Sequence, residues 1–113
     1  MEKKTKTYEW AAALFEGEGW ISPMYKKWQI SLDSSDKDVL EAFYDVVKVG
    51  KLYGPYRRKS QKPHHKSMYA WRLYKPIEVV NLLEKFLPYL CERRSERATE
   101  AIESLKSTYE TIN

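Results

Sequence analysis

The stretch Tyr8-Glu-Trp-Ala-Ala-Ala-Leu-Phe-Glu-Gly-Glu-Gly19 constrains the rest of the chain more than any other. It begins as a helix: Thr7 is an N-cap, and the spacing predicts a helix over residues 8–16. Gly17 and Gly19 are expected to end it, because glycine enters left-handed backbone space at little cost. Ala12 and Ala13 keep one side of the helix thin, so two such helices can lie side by side. Glu16 and Glu18 stand at the C-terminal end, where the helix dipole disfavours acids. A chain that places carboxylates there has a cation to hold.

Beyond Gly19 the pattern alternates between strand and helix periods. Residues 20–27 read as a strand, with Pro23 forcing an interruption or an edge position. Residues 28–33 read as a half-buried strand, Trp28, Ile30 and Leu32 on one face and Gln29 and Ser31 on the other. A turn over residues 25–27 joins the two, although no Asn-Gly or Asp-Gly pair marks its type. A second helix is expected over residues 37–48, ended by Gly50. Strands come next over residues 51–59, bent at Gly54-Pro55, and 68–74, with a polar basic loop between. Pro76 opens a third helix, Pro88 breaks it, and a last helix runs from Cys91 or Ser95 to Thr108.

The length, 113 residues, suits one domain with one core. Cys91 is the one cysteine, so no internal disulfide forms and a reducing compartment is expected. No apolar run is long enough for a membrane span, and no signal peptide is visible. The net charge of +4 is modest, but its distribution is not. Residues 51–75 carry eight lysines and arginines and no acid, a one-signed patch that points to a polyanion. Most of the tyrosines and tryptophans fall on the buried phase, which favours an aromatic core over a base-stacking platform. His64 and His65 with one distant cysteine are not a zinc pattern.

Residues 11–19 resemble the LAGLIDADG motif of homing endonucleases. Aligned on the last glycine, Ala12 matches the family alanine, Ala13 stands for the usual glycine, and Leu14 matches. Glu16 and Glu18 take the two acidic positions. Ser34-Ser-Asp36, Val49-Gly-Lys-Leu-Tyr53 and Leu87-Pro-Tyr-Leu90 are similar to later signposts of the family, so the resemblance covers residues 8–105. It implies an α+β fold: a single LAGLIDADG unit, helix-hairpin-helix-hairpin-helix-helix, with a four-stranded antiparallel curved sheet. Residues 1–113 then form one domain, with a motif helix over residues 7–19 and a flexible arm over residues 1–6. One copy of the motif is present, and single-motif members act as homodimers.

The resemblance also implies roles. Glu18 is the expected metal ligand and catalytic carboxylate, and Gly17 offers its backbone carbonyl to the same metal. The implied cofactor is Mg²⁺ or Mn²⁺, with Ca²⁺ as a non-cleaving substitute. Glu16 is expected near the partner chain, in a dimer interface with Ala12 and Ala13. Arg93 stands where the family often has a functional lysine. It cannot lose its proton, so its role there is electrostatic, and Arg94 or Arg97 fills that role with a small shift in register. Asp33 and Ser34 stand where the family often has a polar residue near the attacking water, but both are better N-cap candidates.

In the family, the sheet's polar face lies in the DNA major groove. Alternation assigns Ser22, Met24, Lys26, Gln29, Ser31 and Arg72 to that face, joined by Tyr53 and Arg57, while Lys59, Lys62 and Lys66 hold phosphates from the loop. A strand of about ten residues spans roughly 33 Å. That length matches about ten base pairs at 3.4 Å each, so two subunits cover roughly 20. The expected activity is site-specific cleavage of a long pseudo-palindromic duplex, leaving short 3′ overhangs. The alternative is a cleavage-deficient DNA-binding regulator or an RNA-splicing maturase on the same fold. The expected location is the cytoplasm or another reducing, DNA-containing compartment, an organelle included.

Overall fold

The computed structural model describes residues 5–57 and 67–110. The chain starts with α1 (Tyr8–Glu18), which Thr7 caps by accepting a hydrogen bond from the Trp10 backbone N–H at 3.1 Å. β1 (Trp20–Met24) and β2 (Lys27–Ser34) come next, then α2 (Lys37–Val47), β3 (Lys51–Tyr56), β4 (Met68–Leu73) and α3 (Pro76–Phe86). A 3-10 turn over Leu87–Tyr89 leads into α4 (Glu92–Glu110). The architecture is α+β in the expected order, with four helices and one antiparallel sheet ordered β1-β2-β4-β3.

Strand alternation decides which side of the sheet the helices cover. Ile21, Trp28, Ile30, Leu32, Trp71 and Leu73 all join the buried core. Helical residues close it from above, among them Phe15, Leu40, Phe43, Val79, Leu83 and Phe86. Each such side chain contributes about 1.5–3 kcal/mol on full burial. Phe43 packs edge-on against Trp71, with ring centroids 4.7 Å apart. Trp71 is fully buried, and its Nε1 donates to the Val49 carbonyl at 2.9 Å. Gly50 permits this close packing: at φ 91°, a Cβ there would sit 2.8 Å from Trp71 Cε2 and 2.9 Å from the Arg72 carbonyl.

Four expectations about element ends need correcting. α1 does not stop at Glu16 but continues through Gly17 to Glu18. Gly19 ends it in extended geometry, φ −78°, so the left-handed freedom of glycine is not used there. Room is what Gly19 supplies, since a Cβ would lie 2.6 Å from the Phe15 carbonyl and overlap its ring. Neither Asp33 nor Ser34 caps α2, because β2 extends through both and the N-cap is Asp36. The turn between β1 and β2 is Tyr25-Lys26, since Met24 pairs with Lys27. As expected, Pro23 lies on an edge strand, and the β3–β4 register is irregular between Tyr53 and Tyr56, at Gly54-Pro55.

Candidate functional site

The two acids of the motif part company in the structure. Glu16 is half-buried, and its carboxylate accepts a hydrogen bond from the Cys91 backbone N–H at 2.5 Å. Cys91 immediately precedes α4, so Glu16 meets the positive end of that helix dipole. Arg94 lies 3.9 Å from the same carboxylate and donates to the Gly19 carbonyl at 2.7 Å. The cation expected beside Glu16 is thus the protein's own. Its carboxylate locks α1 to α4 within one chain.

Glu18 is exposed, and among the described residues it has no hydrogen-bond or salt-bridge partner. It lines a cleft of about 310 Å³ with Asp33 and Ser34, walled by Leu14, Leu32, Val39 and Leu40. Ser34 Oγ is engaged, accepting from the Asp36 backbone N–H at 3.0 Å. Beside Glu18, Gly17 is exposed, with nothing within 4 Å of where its Cβ would be. A ligand therefore meets no side chain there.

These oxygens are hard donors, the kind Mg²⁺ prefers. Among the described residues, no group of three or more His, Cys, Asp or Glu is gathered to hold a metal ion. Glu18 and the Gly17 carbonyl therefore fit a divalent cation as part of a larger shell. Water and phosphate oxygens would supply the rest.

The outward side of α1 differs from expectation in one residue. Ala12 is 0% exposed and belongs to the chain's own core, so it is not available to a partner. Ala13 and Gly17 are the exposed small residues, four apart on one face, flanked by half-buried Trp10 and Leu14. At the start of α1, the backbone N–H of Glu9, then Thr7 and Tyr89, hold the Glu9 carboxyl below the usual carboxylate range. The same contact with Glu9 raises the Tyr89 hydroxyl.

Arg93 is exposed and lines a separate cleft of about 620 Å³ with Trp20, Ser22, Arg94 and Arg97. Arg94 and Arg97 are committed elsewhere. Arg97 donates to the Ile21 carbonyl at 3.2 Å, pairs with Glu100, and stacks over Trp28 at 5.0 Å. Arg93 is thus the one of the three with no such bond among the described residues.

The sheet face away from the helices is polar and open. Strand register gathers Ser22, Met24, Gln29, Ser31, Tyr53 and Arg72 on it, with Ser22 opposite Gln29 and Ser31 opposite Arg72. The Arg72 guanidinium rests 5.4 Å over the Tyr53 ring. Lys26 is not on this face; it sits in the turn at φ 58°. Lys27, opposite Met24, takes the strand position instead. Three residues of this face are not evident from the sequence: Lys27, Lys51 and Trp20, the last 63% exposed. Each lies at a strand end, and the alternation that places Ser22 and Met24 is the available signal for Trp20. Arg57 is exposed just beyond β3, while Lys59, Lys62 and Lys66 lie outside the described residues.

The chain resembles solved homing endonucleases over nearly its whole length. It superposes on I-CvuI in complex with its target, in the presence of 2 mM Ca, with a TM-score of 0.72 at 17% identity, covering 92% of this chain and 68% of that one. It superposes on the LAGLIDADG meganuclease I-AabMI bound to uncleaved DNA with a TM-score of 0.64 at 20% identity, covering 94% and 38%. The fold is the LAGLIDADG fold. A third structure, the homing endonuclease I-TnaI, is covered 100% in both directions, with a TM-score of 0.55 at 18% identity. No family model matches the sequence, and no curated protein matches it. Within the LAGLIDADG fold, the unpartnered acid of this chain is the second of its motif, and the open face is the one without helices. Among the described residues, no helix is long and apolar enough to cross a membrane.

Proposed function

We propose that this protein is a site-specific, metal-dependent double-strand DNA endonuclease of the homing type. It acts as a homodimer on a near-palindromic site of roughly 20 base pairs; the longest described strand, β2 at eight residues, is shorter than the expected ten and spans roughly 26 Å, about eight base pairs of each half. The observation that carries this reading is the contrast between Glu16, bound within its own chain, and Glu18, exposed beside Gly17 with no partner among the described residues. A solvated acid at a helix C-terminus is electrostatically unfavourable unless a cation arrives.

Glu18 and the Gly17 carbonyl would hold Mg²⁺ or Mn²⁺, with Ca²⁺ binding without cleavage. When bound, the ion activates water and stabilises the leaving oxygen of the phosphodiester. Asp33 lines the cleft with Glu18 and supplies a carboxylate to orient water there. Arg93 stays charged at every working pH and offsets phosphate charge. Ala13 and Gly17 let two copies of α1 meet closely at the twofold axis. Gln29 and Arg72 read base edges in the major groove, with Ser22, Ser31 and Lys27 beside them.

Incubation with a randomised duplex library and Mg²⁺ tests the proposal. The expected product is a set of cut ends around one near-palindromic sequence. Selection of a duplex that is bound but never cut would favour the rival reading, a DNA-binding regulator or maturase.

A further inference from the structure

A third cleft, of about 250 Å³, opens where the end of α2, the start of β3 and the N-terminus of α3 converge. Lys48, Lys51, Arg72 and Lys75 line it, and Glu78 is the one acid among its lining residues. Three features of these cations are unfavourable in the chain alone. Lys51 and Arg72 are direct cross-strand partners, and like charges in that position repel. Lys75 is the N-cap of α3, a cation at the positive end of an 11-residue helix. Lys48 holds the left-handed C-cap of α2 at φ 61°, where glycine or asparagine is favoured.

Among the described residues, none of the four makes a salt bridge, and no side chain caps the start of α3. Positive charge is concentrated there, four cations against one acid. Such a cluster stores the requirement for an anion, and its residues accept local strain to stay together.

We propose that this cleft seats one backbone phosphate of the bound duplex. The assignment rests on the proposed DNA binding, because Lys51 and Arg72 also lie on the open sheet face. A phosphate held here by Lys48, Lys51 and Lys75 clamps the duplex against the sheet without reading sequence, while Arg72 at the edge of the cleft and residues farther along the strands reach the bases. Lys48 and Lys75 reach it from the helix layer, so the cleft fixes the height of the duplex over the face.

The test is duplex binding by fluorescence anisotropy between 50 and 200 mM KCl, for the wild type and for Lys51→Gln/Lys75→Gln. Both lysines are exposed, so the double variant folds, and its melting temperature is the control. The slope of log Kobs against log salt should flatten by about 0.9 per seat, or about 1.8 for a dimer. The loss should be equal for the selected target and a random duplex. Lys48→Asn should raise the melting temperature while weakening duplex binding, because it relieves the backbone and removes a charge.

An unchanged salt slope, or a loss confined to the target sequence, would overturn the phosphate seat. Titration with inorganic phosphate separates the sources of the anion. Saturable binding of free phosphate, lost in the double variant while the duplex slope stays unchanged, would overturn the duplex assignment. A wild type that binds no duplex at all would overturn the DNA reading itself, and the seat with it.

Discussion

Glu16 Oε1 accepts a hydrogen bond from the Cys91 backbone N–H at 2.5 Å, although the two residues are 75 apart in sequence. This contact fastens the end of α1 to the start of α4, and with Arg94 it neutralises the first acid of the motif. Glu16→Ala should therefore destabilise the fold by roughly 1–2 kcal/mol, the usual cost of losing a helix cap. Urea denaturation measures it. A midpoint equal to the wild type's would remove Glu16 from this role.

Ala12 and Ala13 are neighbours with opposite surroundings, one buried in the core and one exposed. Leucine at position 12 should overpack the monomer, at roughly 1–3 kcal/mol of folding stability. At position 13 it should leave folding nearly unchanged and weaken association instead, with the cost applied twice by symmetry. Denaturation and sedimentation velocity, run on both variants, separate the two effects. An Ala13→Leu protein that sediments as a dimer at wild-type affinity would rule out this face of α1 as the seam.

Gly19→Ala tests whether space or backbone freedom selects glycine. The φ of −78° suits any residue, yet the added methyl would meet the Phe15 ring and carbonyl. The variant should lose roughly 1–3 kcal/mol as an overpacked site does. A thermal melt at the wild-type temperature would show that α1 and Phe15 give way freely.

Base readout is expected to depend on Arg72. Arg72→Ala should relax preference at one position in each half-site, by about 1–3 kcal/mol. Binding selection from a randomised library reads this out position by position. Uniform weakening across all sequences would assign Arg72 wholly to the phosphate seat.

Much of this was legible in the sequence, and the gaps have physical causes. The strand period placed Trp28, Ile30, Leu32, Trp71 and Leu73 correctly, because burial on one face enforces alternation. Lys26 and Lys27 were exchanged, since a two-residue turn without glycine or asparagine gives no marker and a shift of one residue reverses the face. Three alanines in a row carry no amphipathic contrast, so the sequence assigns both Ala12 and Ala13 to the dimer contact, although Ala12 is buried in the chain's own core. The fate of Glu16 was hidden for another reason: its partners, Cys91 and Arg94, come from the far end of the chain. Asp33 stands near the site by resemblance but is preferred as an N-cap, because the run Asp33-Ser-Ser-Asp36 offers several caps and only the extended β2 shows that Asp36 takes that place.

In the proposed reaction the Glu18 carboxylate holds the metal for phosphodiester hydrolysis. Glu18→Gln keeps the size of the side chain and removes its charge. Cleavage of a selected duplex in Mg²⁺ and binding of the same duplex in Ca²⁺ should be measured side by side. The expected result is a variant that binds duplex at near wild-type affinity and yields no cut product. Cleavage at near wild-type rate by Glu18→Gln would contradict it.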